Sequence, residues 1–153
     1  MIIYCNNVSG INNPAKLHAV INRVRRYDIV LLQETKVTSQ ILPQLQLKWR
    51  HPNGVFLASE EIGARRGVIT LFSPKLRVQH LEAFKDSLGQ FIINLVLIEE
   101  NVFMIINIYG DPDTDNAASA TMDRLNTKIE DIQYRFAVSH IIAAGDFNFV
   151  LRF

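Results

Sequence analysis

Two neighbouring segments in the middle of the chain are apolar on both alternating faces, and they limit the possible folds more than any other feature. Segment 91–98 reads FIINLVLI and segment 102–108 reads VFMIINI. Because successive side chains of a strand point to opposite faces, both faces of each segment are apolar apart from one asparagine. Such strands must be covered on both sides. We therefore expect a hairpin, turned at residues 99–101, in a sheet that forms an internal layer.

Helical periodicity is clear in two other segments. The first spans about Asn13–Arg26, where Asn13 can cap the free amide groups and Pro14 suits the first helical position. The second spans about Ala117–Val138, with apolar residues spaced by three and four. A short helix is expected in Ser39–Leu47, although a proline interrupts it.

Strand-like runs surround these helices. Their order along the chain is strand, helix, strand, hairpins, strand, helix and strand, which indicates an α/β fold with a mixed sheet. A length of 153 residues fits one domain, and the chain has no internal repeat or linker, so we expect a single domain over residues 1–153. The expected strands are Ile2–Asn6, Ile29–Gln33, Val55–Ser59, Val68–Ser73, Phe91–Glu99, Val102–Tyr109 and Ile141–Asp146.

Charge and cysteine content narrow the possible partners and compartments. The 16 Lys and Arg residues nearly balance the 15 Asp and Glu residues, so a nucleic acid would have to be held by a local basic patch. Arg65 and Arg66 could contact a phosphate backbone or simply lie on a solvated face. One cysteine, Cys5, cannot close an internal disulfide, and we interpret it as a core thiol of an intracellular protein. No apolar run approaches the roughly 20 residues that span a bilayer, so no membrane partner is expected.

Polar residues cluster where the expected strands end. Each has an ordinary explanation, such as a turn or a solvated loop. Together they would place two carboxylates, several amides and a phenol at one rim of the sheet, where α/β proteins bind ligands. That combination suits a hard cation and a phosphodiester. These residues are Asn6 and Asn7, Gln33 and Glu34, Asn107 and Tyr109, and Asp146 and Asn148.

Five short motifs occur in a fixed order: Asn7-Val8-Ser9-Gly10, Leu32-Gln33-Glu34-Thr35, Arg66-Gly67-Val68, Asn107-Ile108-Tyr109 and Gly145-Asp146-Phe147-Asn148. This ordered set resembles the endonuclease/exonuclease/phosphatase superfamily, which contains DNase I and the apurinic endonucleases. The continuation Phe149-Val150-Leu151 and the short first loop look most like the endonuclease domains of non-LTR (LINE-type) retrotransposons. The resemblance implies a DNase I-like α/β sandwich.

The resemblance also implies a role for each matching residue. Glu34 matches the family's magnesium ligand, where Mn²⁺ could also bind, and Asn7 matches the amide beside it that orients metal-bound water and phosphate. Asp146 matches the carboxylate that positions or deprotonates the attacking water. Asn148 matches the amide that contacts the scissile phosphate, and Tyr109 the phenol near the phosphoryl oxygens. The implied activity is Mg²⁺-dependent nicking of DNA, with a nuclear location if DNA is the substrate.

The chain also departs from the family pattern. The family completes its site with a Ser/Thr-Asp-His motif near the end of the domain, and none of the four histidines here occupies that position. We therefore expect a partial domain, truncated before its C-terminal half, whose sheet exposes an apolar inner face to a second copy or a partner chain. Two other functions stay open. The chain could be an inactive remnant or interaction module, or a phosphatase acting on lipids or small phosphates.

Overall fold

The computed structural model describes residues 1–59, 65–110 and 115–148, and in them eight strands form two four-stranded sheets. Sheet A has the strand order β1-β2-β4-β3, and sheet B has the order β5-β6-β7-β8. In each sheet one pair is parallel, β1 with β2 and β7 with β8, while the other pairs are antiparallel. The strands are β1 (Ile3–Asn7), β2 (Ile29–Gln33), β3 (Val55–Ala58), β4 (Val68–Phe72), β5 (Val78–Lys85), β6 (Phe91–Ile98), β7 (Asn101–Tyr109) and β8 (His140–Asp146).

Three α-helices connect these strands: α1 (Pro14–Val24), α2 (Leu42–Trp49) and α3 (Asp115–Arg135). As the sequence predicts, the Asn13 side chain accepts hydrogen bonds from two amides of the first turn of α1, at 2.8 and 3.3 Å. Pro43 does not interrupt α2, because it lies in the first turn, where its missing N–H group is not needed. No helix of the described residues is long and apolar enough to cross a membrane.

The elements form four layers. Helices α1 and α2 cover the outer face of sheet A, and α3 covers the outer face of sheet B. The inner faces of the two sheets pack on each other through Ile29, Leu31 and Phe72 of sheet A and Val96 and Ile105 of sheet B. Strands β6 and β7 are thus covered on both sides, which confirms the expected internal layer and the α/β sandwich.

The expectation of an exposed inner sheet face was wrong. It assumed that the second sheet of the sandwich would be missing. Instead, the described residues supply both sheets, and side chains such as Ile29, Phe72 and Ile105 are fully buried between them. Self-association was expected because of an uncovered apolar face, and the described residues leave no such face between the sheets.

Strand β5 was not predicted from the sequence, and a β-bulge explains why. The strand register shifts between His80 and Glu82, so an extra residue, Leu81, interrupts the pairing with β6. Before the bulge, His80 packs on Phe72 of sheet A. After it, Phe84 packs on Phe91, on the side that α3 covers. The apolar side chains face sheet A before the bulge and α3 after it, so the sequence does not show the single alternating pattern that is typical of a strand.

We expect Phe72→Ala to lower the free energy of unfolding by about 3–5 kcal/mol, because it removes a fully buried ring from between the sheets. Leu47→Ala is the control, since that leucine is 80% exposed on α2, and its effect should stay within about 0.5 kcal/mol. Urea denaturation of both variants measures the difference. Similar small effects for both would show that the two sheets do not pack as described.

A second prediction concerns pH. Burial beside Phe56 and Phe72 lowers the pKa of His80 below 6.5, the nearby His51 lowers it further, and the buried Nδ1 atom has no hydrogen-bond partner among the described residues. Protonation therefore favours the unfolded chain. The stability from this residue should be complete above about pH 6.5 and should fall as the pH drops toward the folded-state pKa.

Denaturation at pH 7.5 and 5.5 tests the direction of this change in stability with pH. The wild type should lose more stability between these values than His80→Phe, which keeps an aromatic ring in the cluster. Equal losses in the two proteins would contradict the assignment.

Candidate active site

Three predicted site residues meet at one end of the sandwich. Asn7 ends β1, Glu34 directly follows β2, and Asp146 ends β8. The Nδ2 atom of Asn7 donates to Oε2 of Glu34 at 2.9 Å and to Oδ2 of Asp146 at 2.8 Å. One amide group therefore holds two carboxylates from different sheets next to each other. The structure brings together the two carboxylates that were expected from the sequence to serve the same cation and its water.

The position of Asn7 is fixed by the loop that follows it. Its Oδ1 atom accepts a hydrogen bond from the backbone N–H of Ser9 at 2.9 Å. The N–H of Gly10 donates to the carbonyl of Glu34 at 2.7 Å, and the N–H of Ile11 to that of Thr35 at 2.8 Å. The parallel pairing of β1 and β2 thus continues past the ends of both strands, and it carries Asn7 and Glu34 together.

Glu34 has an unusual backbone and an ionised side chain. Its φ angle is 51°, in the left-handed region that non-glycine residues rarely adopt. Hydrogen bonds from Lys36, whose Nζ lies 2.7 Å from Oε1, and then from Asn7 lower the pKa of Glu34. The carboxylate is therefore charged at neutral pH and suited to a cation. Ser9, Lys36 and Asn148 are left-handed too, so backbone strain concentrates around this site.

Asp146 lies on the inner side of β8, two and four residues beyond Ala144 and Ile142 of the inter-sheet core. The residue before it, Gly145, must be glycine, because a Cβ atom at this position would overlap the carbonyl group of Ile108 on β7. A Cβ on Gly110 would similarly overlap the carbonyl of Phe147. Strands β7 and β8 can therefore approach closely at the site only because both positions are glycine.

Tyr109 and Asn148 lie beside the pair of carboxylates, Glu34 and Asp146. Tyr109 is opposite Asp146 in the strand register, and it belongs to a buried cluster with Ala58, Val68 and Ile92. Its backbone N–H donates to the carbonyl of Gln90 at 2.6 Å. Asn148 donates from Nδ2 to the carbonyl of Gly110 at 2.9 Å, which ties the chain after β8 to the end of β7.

The two arginines lie in the segment next to Glu34. The carbonyl of Arg66 accepts a hydrogen bond from the N–H of Lys36 at 2.8 Å, and the carbonyl of Gly67 accepts one from Thr35 at 3.0 Å. Arg65 is exposed. The backbone of Arg66 and Gly67 is therefore placed beside the loop that carries Glu34.

The donor set suits a hard divalent cation. Glu34 and Asp146 supply carboxylate oxygens, and Mg²⁺ usually binds to one or two carboxylates and keeps several waters. Among the described residues there is no group of three or more Asp, Glu, His or Cys side chains that would enclose a cation without water. An open magnesium site fits these residues better than a closed structural zinc site.

Three residues near the site lie in surroundings that differ from those predicted from the sequence. Gln33 and Asn107 were expected at the rim, but both are fully buried between the sheets, where they hydrogen-bond to each other. The sequence signal that could have indicated their burial is a single amide in an otherwise apolar strand. Cys5 was interpreted as a core thiol, yet it is exposed on the edge strand β1, and burial of part of the group raises the pKa of its thiol.

Comparison with known proteins supports this fold. A family model described as the Endonuclease/Exonuclease/phosphatase family matches residues 3–153. The catalytic domain of Xenopus laevis APE2 superposes with a TM-score of 0.68 at 19% identity, over 99% of this chain and 60% of that one. A humanized TDP2 from D. rerio gives 0.62 at 18% identity, over 98% and 63%. An endonuclease/exonuclease/phosphatase family protein from Bacteroides thetaiotaomicron gives 0.70 at 12% identity, over 97% and 63%. The chain thus spans about three fifths of the length of these structures.

We expect Gly145→Ala to destabilise the protein by at least about 1–3 kcal/mol, because the added Cβ overlaps the Ile108 carbonyl and forces β8 away from β7. Ala143→Ser, on the exposed face of the same strand, should change stability by less than about 0.5 kcal/mol. Thermal and urea unfolding compare the two variants. A neutral Gly145→Ala would show that the strands are not so close at this point.

Proposed function

Because the chain belongs to the endonuclease/exonuclease/phosphatase family, we propose that it hydrolyses phosphodiester bonds in DNA with the help of a divalent cation. Enzymes of the three kinds in the family's name all cleave phosphorus–oxygen ester bonds with water. The observation that carries the proposal is the single Asn7 amide that joins Glu34 and Asp146. Mg²⁺ is the expected cation, and Mn²⁺ is an alternative with similar ligand preferences.

The proposed roles follow from charge and position. Glu34, ionised beside Lys36, would hold the cation with Asn7 next to it. The bound cation would neutralise charge on the phosphate oxygens. Asp146 would accept a proton from the attacking water, because its carboxylate lies against the same amide as Glu34. Catalysis in this scheme comes from positioning and charge neutralisation, as in other phosphoryl-transfer sites.

The remaining residues would contact the substrate. Asn148 and Tyr109 lie at the ends of the chain segments next to Asp146, where they could reach the scissile phosphate and its oxygens. Arg65 and Arg66 lie beside the Glu34 loop and would contact the DNA backbone. A DNA substrate also makes a nuclear location part of the proposal.

The finer proposal is a retrotransposon-type endonuclease that nicks one strand. Its support is the sequence Gly145-Asp146-Phe147-Asn148 followed by Phe149-Val150-Leu151, although the last three residues lie outside the described part of the chain. The expected product is a nicked circle, since one site cleaves one backbone.

We expect the protein to nick supercoiled plasmid in the presence of Mg²⁺, and we expect nicking to stop when EDTA removes the cation. Glu34→Gln, which keeps the shape but removes the charge, should lower the nicking rate by about 100-fold or more. The matched control is Glu130→Gln, because that carboxylate is exposed on α3 and is not one of the site residues. Gel separation of supercoiled and nicked plasmid measures both rates.

Three outcomes separate the possible functions. Nicking that survives Glu34→Gln would contradict the assigned metal ligand. A folded wild type that does not nick at any Mg²⁺ or Mn²⁺ concentration would favour an inactive remnant or interaction module. Phosphate release from inositol phosphates or sphingolipid phosphates, without nicking, would favour a phosphatase.

A further inference from the structure

The candidate site lies across the seam between two sheets. Asn7 and Glu34 belong to the end of sheet A, whereas Asp146 belongs to the end of sheet B. The distance between the two carboxylates therefore depends on how the sheets are placed relative to each other. Apolar packing such as that of Phe72 on Val96 and Ile105 holds the sheets together but is not directional, so it tolerates small sliding movements. Something directional is needed to fix their register.

A buried pair of amides supplies that directional contact. Nε2 of Gln33, on β2, donates to Oδ1 of Asn107, on β7, at 2.7 Å. Nδ2 of Asn107 in turn donates to the backbone carbonyls of Ile69 at 2.9 Å and Leu32 at 3.3 Å. The exposed fractions of Gln33 and Asn107 are only 1% and 0%. These hydrogen bonds cross from sheet B to two adjacent strands of sheet A.

The amide pair also lies at the level of the site. Gln33 directly precedes Glu34, and Asn107 is two residues before Tyr109, which is opposite Asp146. Nε2 of Gln33 also lies 3.4 Å from Sγ of Cys5, two residues before Asn7. The pair therefore touches the strands that carry Asn7 and Glu34 and the strand that is paired with β8.

We propose that Gln33 and Asn107 are positioning residues that fix the register of the two sheets and so keep Glu34 and Asp146 on the same amide of Asn7. The consequence for catalysis rests on the proposed function, but the consequence for geometry does not. Misplacing a reacting group by about 1 Å can cost roughly 100-fold in rate. A small slide of the sheets would therefore affect the chemistry while leaving the fold intact.

The chain offers a matched control for this idea. Asn94, on β6, is also an asparagine with an exposed fraction of 0%, and it lies on the inner face of sheet B as Asn107 does. Neither Nδ2 nor Oδ1 of Asn94 has a hydrogen-bond partner among the described residues. Replacing it with leucine removes a buried amide of the same kind but breaks no hydrogen bond between the sheets among the described residues.

The experiment compares Asn107→Leu with Asn94→Leu in the full chain. The first measurement needs no metal: the side-chain amide of Asn7 is followed by ¹H–¹⁵N NMR. Asn107→Leu should shift this resonance, because a hydrogen bond from Nδ2 to one carboxylate lengthens, while Asn94→Leu should leave it in place. The second measurement is Mn²⁺ binding, which we expect to weaken by about 10-fold in Asn107→Leu only.

The third measurement is nicking of plasmid at saturating metal, well below the unfolding temperature of each variant. Asn107→Leu should lower kcat by about 10- to 100-fold with little change in KM. A role in stability alone would not alter kcat under these conditions. If Asn107→Leu does not fold, Gln33→Met keeps the side-chain length, removes the donor to Asn107 and takes its place in all three measurements.

The outcomes distinguish this inference from the proposed function. An unchanged Asn7 resonance and unchanged Mn²⁺ binding in Asn107→Leu and Gln33→Met would overturn the inference even if the wild type nicks DNA. A shifted resonance and weaker Mn²⁺ binding would support it even if the wild type proves inactive, in which case only the proposed function fails. Equal shifts in Asn107→Leu and Asn94→Leu would also overturn it, because any loss of a buried amide would then disturb the site.

Discussion

The contact between the two sheets is the constraint on which the rest of the structure depends. Sheet A and sheet B are each apolar on both faces, so each needs a helical layer outside and the other sheet inside. The site exists only where the two sheets end together, because its carboxylates come from different sheets. The packing between the sheets therefore determines the geometry of the site, and a change in that packing alters the distance between the two carboxylates.

Much of this arrangement could be predicted from residue patterns. The apolar character of both faces of β6 and β7 predicted an internal layer, and Asn13 and Pro14 predicted the start of α1. The convergence of Asn7 and Glu34 followed from their positions at the ends of two strands, because the carboxyl ends of parallel strands meet at one edge. Asp146, which lies in the other sheet, was expected beside them from the family resemblance. The helix and strand predictions use local sequence patterns, which each segment carries on its own.

What could not be predicted depends on contacts between distant segments. The bulge at Leu81 hid β5, because it moves the apolar side chains from one face to the other in mid-strand. The burial of Gln33 and Asn107 was missed because each is a lone amide whose partner is 74 positions away in the sequence. Polar residues at strand ends are more often exposed, and only the packed sheets show that these two satisfy each other.

Burying amides between the sheets has a physical cost that apolar side chains would avoid. An amide removed from water must find hydrogen-bond partners, or the fold loses about 1–3 kcal/mol for each unsatisfied group. Asn107 meets this condition through Gln33 and two backbone carbonyls, whereas Asn94 does not among the described residues. A fully apolar seam would hold the sheets at least as strongly but in less defined register. Directional contacts are therefore expected where a misplacement of about 1 Å matters, at the end of the seam that carries Glu34 and Asp146.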